Sequence, residues 1–139
     1  MSMTVKMKDI IKFANAPLGI RTFTPAMNLA IAINAAAIEP HLKGYNEANK
    51  KLLEKYCEKD DKGNLVTVED ANGQSYYQFT DEKAYNEENE KLQEQEVELA
   101  VTTFKEKELI KCASDKDLDS PTVAETVVML FMIERKEEK

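Results

Sequence analysis

Hydrophobic and polar positions first alternate with the period of a strand. In TVKMK (Thr4 to Lys8), Val5 and Met7 sit between polar residues, and side chains two apart share one strand face. Asp9 then predicts a cap for a short helix carrying Ile10, Ile11, Phe13 and Ala14. NAPLGIRTF reads as a loop, punctuated by Pro17 and Gly19.

Thr24-Pro25 predicts a helix start, because threonine caps and a first-turn proline gives up only a free N–H. Helical spacing then persists to about Glu58. Ile31, Ala35, Ile38, Leu42, Tyr45, Asn49, Leu52 and Tyr56 recur by fours and threes, a heptad seam. Pro40 lies inside this pattern. It removes a backbone hydrogen bond, so a kink or a split into two helices is expected there.

DDKGN ends the helical pattern, with Gly63 suited to a left-handed turn. In LVTVEDANGQSYYQF, Asn72-Gly73 between alternating segments predicts a hairpin. A two-residue turn there pairs Val68 with Tyr77 and Val66 with Phe79. Thr80 or Asp81 starts a second helix, DEKAYNEENEKLQEQEVEL. VELAVTTF turns toward strand character through Val97, Leu99 and Val101. KEKELIKCASDKDLD reads as surface strand, then loop. Ser120-Pro121 repeats the cap-plus-proline signal before TVAETVVMLFMIE, whose apolar residues surround most of the helix and predict a core position. RKEEK reads as a solvated tail.

One helix is written nearly twice. YNEANKKLLEK (Tyr45 to Lys55) and YNEENEKLQEQ (Tyr85 to Gln95) agree at seven of eleven positions. Two helices flanking a hairpin run antiparallel if they pack. A local two-fold relation is expected to set Asn49 against Asn89 and to fix register at some cost in stability. No third copy occurs, which argues against a solenoid. The expected fold is α+β: a long helical hairpin interrupted by a β-hairpin, a small antiparallel sheet, and a C-terminal core helix. All 139 residues are expected to form one domain.

Composition narrows the functional classes. Twenty-six acids against nineteen bases leave a net charge of −7, so free nucleic acid is a poor partner. Solubility accounts for such charge most simply; the sharper alternative is a surface that imitates nucleic acid. The start, MSMTVKMKDIIKF, lacks the apolar run of a signal peptide. No stretch reaches the length of a membrane span.

The segments KLLEKYCEKDDKGN, YYQFTDEKAYNEENEKLQEQEVEL and PTVAETVVMLFMIE together resemble a family of small proteins encoded by phages and prophages of Gram-positive bacteria. The shared plan is a long helix, a turn rich in Glu, Lys, Asp and Gly, a short excursion ending in an aromatic, and an acidic helix. The family carries no established activity. The resemblance implies a mobile-element origin and transfers no functional residue; the host bacterial cytoplasm is the expected location.

Candidate chemistry is sparse. His41 is the only histidine, and Cys57 and Cys112 belong to no CxxC pair, too few ligands for zinc. No nucleophile elbow or glycine-rich phosphate loop is present. DKGN and DANGQ lack the ligand spacing of a calcium loop. The acids near Glu87 lack the Glu-x-x-His motif of a di-metal bundle. No catalytic residue, metal or cofactor is therefore assigned, and the protein is expected not to be an enzyme.

The expected function is protein binding by a phage or prophage accessory protein. Glu87, Glu88, Glu90 and Glu94, with Tyr76 on the hairpin, are the candidate contacts to a host or phage protein, including a host factor that the acidic helix inhibits. One alternative is an assembly component that self-associates through Ile31, Ile38 and Leu42. Another is an oligomer that sequesters a small signalling nucleotide, with Lys12 and Arg21 holding its anion.

Overall fold

A computed structural model describes residues 2–134; the RKEEK tail lies outside them. The fold is α+β. In chain order the elements are β1 (Ser2–Lys6), α1 (Met7–Asn15), a 3-10 turn (Leu18–Ile20), α2 (Pro25–Tyr56), β2 (Thr67–Glu69), β3 (Ser75–Tyr77), α3 (Glu82–Glu94), β4 (Glu96–Ala100), β5 (Phe104–Lys105), α4 (Glu106–Ser114), α5 (Val123–Val128), a second 3-10 turn (Leu130–Met132) and β6 (Ile133–Glu134). The chain divides into two compact units. Among the described residues, 2–42 and 96–134 form the first, and 43–95 the second.

The first unit joins both halves of the chain through paired strands. β1 and β4 run antiparallel, with Met3 opposite Leu99 and Val5 opposite Val97. β5 and β6 run parallel, with Phe104 opposite Ile133. Ile10 and Phe13 of α1 are buried, and the Phe13 ring meets Phe131 edge-on at 5.4 Å. Thr24 starts α2 as its residue type predicts. Its hydroxyl accepts from the Met27 amide at 3.3 Å and its carbonyl from the Asn28 amide at 2.9 Å. Asp9, the expected cap of α1, instead lies inside the first turn, where its charge complements the helix dipole.

The buried face of α2 in this unit is Met27, Ala30, Ile31, Asn34 and Ile38. The heptad seam is therefore displaced: Ala35 is exposed, and Asn34 is fully buried. Asn34 is accommodated because it completes a backbone. Its Nδ2 donates to the Thr102 carbonyl at 2.8 Å, and its Oδ1 accepts from the Thr102 amide at 2.8 Å. Thr102 lies between β4 and β5, where no neighbouring strand supplies these partners. Pro40 sits within the continuous helix α2, which does not split there.

Two segments differ from expectation. EKELIKCAS (Glu106–Ser114) is helix, and only Lys105 before it is strand; only Cys112 of α4 is buried, so its apolar periodicity is too weak to outweigh the alternation of charges. The C-terminal helix is short. Its start is fixed two residues beyond Ser120 by a capping box: the Glu125 amide donates to the Thr122 hydroxyl at 3.0 Å, and the Thr122 amide to Glu125 at 2.9 Å. None of Val123–Val128 is buried. Met129, which caps the end of the helix, and Met132 and Ile133, in the 3-10 turn and strand that follow, are buried in the core.

In the second unit, α2 continues to Tyr56 and two hairpins follow. Asp60 and Asp70 organise identical loops. Each carboxylate accepts from the backbone amides two and four residues on, Lys62 and Asn64 in one loop, Asn72 and Gln74 in the other. Gly63 and Gly73 take positive φ of 83° and 81°, while no other described residue does. The Asn72-Gly73 turn is thus a three-residue loop with a left-handed glycine, because a two-residue type I′ turn would require positive φ at Asn72 as well. The register shifts by one: Val68 faces Tyr76, and Thr67 faces Tyr77.

Candidate functional site

Each unit carries one surface worth considering as a site. In the second unit it is the outward face of α3. Asp81 caps this helix by accepting from the Ala84 amide at 3.1 Å. The inner face is fastened by the sequence repeat. Tyr45 Oη donates to Asn89 Oδ1 at 2.6 Å, and Tyr85 Oη donates to Asn49 Oδ1 at 2.6 Å. The two-fold relation expected from the repeat is present, but each asparagine bonds the tyrosine of the opposite copy. No hydrogen bond joins Asn49 to Asn89. The physical reason is spacing: Tyr and Asn are four apart in both copies, so in an antiparallel pair each Tyr reaches the other copy's Asn.

With that face occupied, Glu87, Glu90 and Glu94 fall on one exposed stripe at i, i+3 and i+7. Together with Lys91 they line a shallow depression of about 360 Å³. Three carboxylates stand against one ammonium. Glu88 does not belong to this stripe. It turns toward α2 and lies 3.9 Å from Lys55 Nζ. Lys55 also lies 5.0 Å above the Tyr56 ring. Its pKa is raised, first by the hydrogen bond to Tyr56 and then by the charge of Glu88. Tyr76 is exposed on β3, with its hydroxyl donating to Gln74 Oε1 at 2.7 Å. Lys91 was not singled out by sequence, although its i+4 spacing from Glu87 places it on the same face.

In the first unit the surface is a groove of about 730 Å³ between α2 and the α1–3-10 segment. Ile31, Ile38 and Leu42, the expected self-association residues, line it. Ile31 and Ile38 are 8% and 2% exposed, packed within their own unit, so they do not form an outward seam. Asn28, Ala32, Ala35 and Glu39 complete this wall at helical spacing; the signal was present in the sequence but was obscured by a seam drawn through Ala35.

The expected anion site is not assembled. Arg21 lies in the groove wall, but its Nε is 3.0 Å from Glu125 Oε2 and its Nη2 donates to the Ser120 carbonyl at 3.1 Å. Its charge is already compensated within the fold. Lys12 is exposed on α1 and does not line the groove. Thr22 and Asp119 lock the same region: the Thr22 amide donates to Asp119 Oδ2 at 2.6 Å, and the Asp119 amide to the Thr22 carbonyl at 2.7 Å.

Cys57 and Cys112 are buried free thiols, and burial pushes both pKa values up, away from the thiolate form that attacks electrophiles. His41 makes no hydrogen bond or ion pair among the described residues. Among the described residues, no cluster of three or more His, Cys, Asp or Glu side chains is placed to hold a metal. No helix among them is long and apolar enough to cross a membrane. In comparison with known proteins, no family model, no curated protein and no solved structure matches the chain.

Proposed function

We propose that the protein is a non-enzymatic binding protein, an accessory factor of a phage or prophage acting in the host bacterial cytoplasm. The phage origin rests on the sequence resemblance described above. The binding role rests on α3. One observation carries it: Glu87, Glu90 and Glu94 are aligned outward on a helix whose other face is fastened by two reciprocal tyrosine–asparagine bonds. A row of carboxylates on a helix already held in place suits a basic groove on a partner, because little backbone ordering remains to oppose association. The partner class that fits is a host protein with a basic cleft, such as a nucleic-acid-binding enzyme, which the acidic helix occupies and inhibits.

The test compares two baits in a lysate of infected Gram-positive cells: the protein itself and its Glu87→Lys/Glu90→Lys/Glu94→Lys variant, with equal helicity verified for both. A host protein retained by the first and lost by the second supports the reading. The same proteins retained by both baits would oppose it.

A further inference from the structure

The groove of the first unit is a second binding surface, built from a different face of α2. Asn28, Ala32, Ala35 and Glu39 are spaced by four, three and four, so they share one stripe of the helix. The two alanines leave a shallow floor at its middle. Phe13 and Leu18 form the facing wall. A volume of about 730 Å³ is in the range of specific binding pockets, which are mainly apolar with a few placed polar groups.

Charge and hydrogen bonding narrow the occupant. The one cation in the wall, Arg21, is paired with Glu125. Glu39, exposed in the same wall, has no ion pair or hydrogen bond among the described residues. Asn28 gives its Nδ2 to the Phe23 carbonyl at 3.1 Å, which leaves its Oδ1 as an acceptor. The stripe is thus apolar at the centre with an acceptor at each end, about 16 Å apart along the helix. An acidic amphiphile such as a fatty acid would meet Glu39 without a cation to receive its head. A second copy would bring another net charge of −7 toward that carboxylate.

We propose that this groove docks an amphipathic helix of a partner protein, its apolar residues over Ala32 and Ala35, a Lys or Arg at Glu39 and a donor at Asn28. Recognition follows the helix-in-groove mode, with anchors at i, i+3 or i+4, and i+7.

The test is a display selection with helical peptides of about sixteen residues, long enough to span both acceptors. The wild-type chain is the target and its Ala35→Phe variant the counter-target. Ala35 is exposed, so the added ring fills the groove without disturbing the core. Enriched peptides are expected to carry an apolar stripe with a basic residue at one end. Their affinity should fall at least about tenfold on Glu39→Lys and should not change on reversal of Glu87, Glu90 and Glu94. That last result separates this site from the α3 face. The proposal is overturned if no peptide discriminates against Ala35→Phe, or if enriched peptides ignore Glu39→Lys. It is also overturned if the wild-type chain sediments as a dimer that Ala35→Phe makes monomeric, since a second copy then fills the groove.

Discussion

Tyr85 donates its hydroxyl to Asn49 at 2.6 Å, and Tyr45 repeats the contact with Asn89 at the same distance. The near-identity of the two helical segments is therefore a structural device: one short motif, used twice, closes an antiparallel helix pair on itself. The Tyr85 pKa is raised, chiefly by burial and then by Tyr45, as expected for a hydroxyl shielded from water.

Removing either hydroxyl should loosen the pair. Tyr85→Phe should lower unfolding stability by about 1 kcal/mol, a typical net hydrogen bond. Tyr45→Phe should cost somewhat more, because Tyr45 Oη also accepts from Gln93 Nε2 at 3.3 Å. Urea denaturation of both variants checks this. Equal stability of wild type and the double variant would show that the bonds are incidental.

Asn34 should be among the most sensitive positions of the first unit. Asn34→Ala removes both partners of the Thr102 backbone and should cost about 3 kcal/mol. Thermal unfolding with circular dichroism reads the effect. Asn34→Leu should not restore stability, since its volume returns but its two bonds do not.

These two asparagines show what the sequence made legible. Asn49 was visible because its surroundings recur at Asn89, and a repeat exposes a pairing that single-residue propensity cannot. Asn34 was invisible. Nothing local marks it as buried, and its partner, Thr102, is 68 residues away. The Asn72-Gly73 turn was placed correctly but closed with the wrong loop length. Asp70 caps the turn from outside the dipeptide, so Gly73 alone needs the left-handed conformation. The α3 stripe follows from helical periodicity, and the same periodicity puts Glu88, about 100° around the helix from Glu87, on the side that faces Lys55. The pairing that removes Arg21 from the expected anion site is equally non-local: Glu125 lies 104 positions along the chain but 3.0 Å away.

The loop that Asp70 organises should be acid-sensitive. Asp70 has its pKa lowered, first by the bond from the Gln74 amide and also by that from Asn72. A depressed folded pKa means that its contribution is fully present above the ordinary carboxylate value and is lost as pH falls through the lower folded value. Amide chemical shifts of Asn72, Gly73 and Gln74 should therefore move together in that acidic window. Asp70→Ala should abolish the transition, and a transition unchanged in that variant would contradict the assignment.

The thiols should be inert in the folded chain. Cys57 and Cys112 are buried with raised pKa values, so iodoacetamide near neutral pH should label neither until urea unfolds the protein. Their neutral forms favour the fold below the ordinary thiol value. That contribution is lost as pH rises through the raised folded values. Mass spectrometry after brief labelling gives the answer, and rapid modification of native Cys112 would contradict its place in the core.

The central claim is that α3 is the partner-facing surface of the second unit. Hydrogen–deuterium exchange of the protein, alone and bound to the host factor captured by the wild-type bait, tests it most directly. New protection concentrated at 87–94 is the predicted result. Protection confined to other segments, with exchange across α3 unchanged, would contradict it.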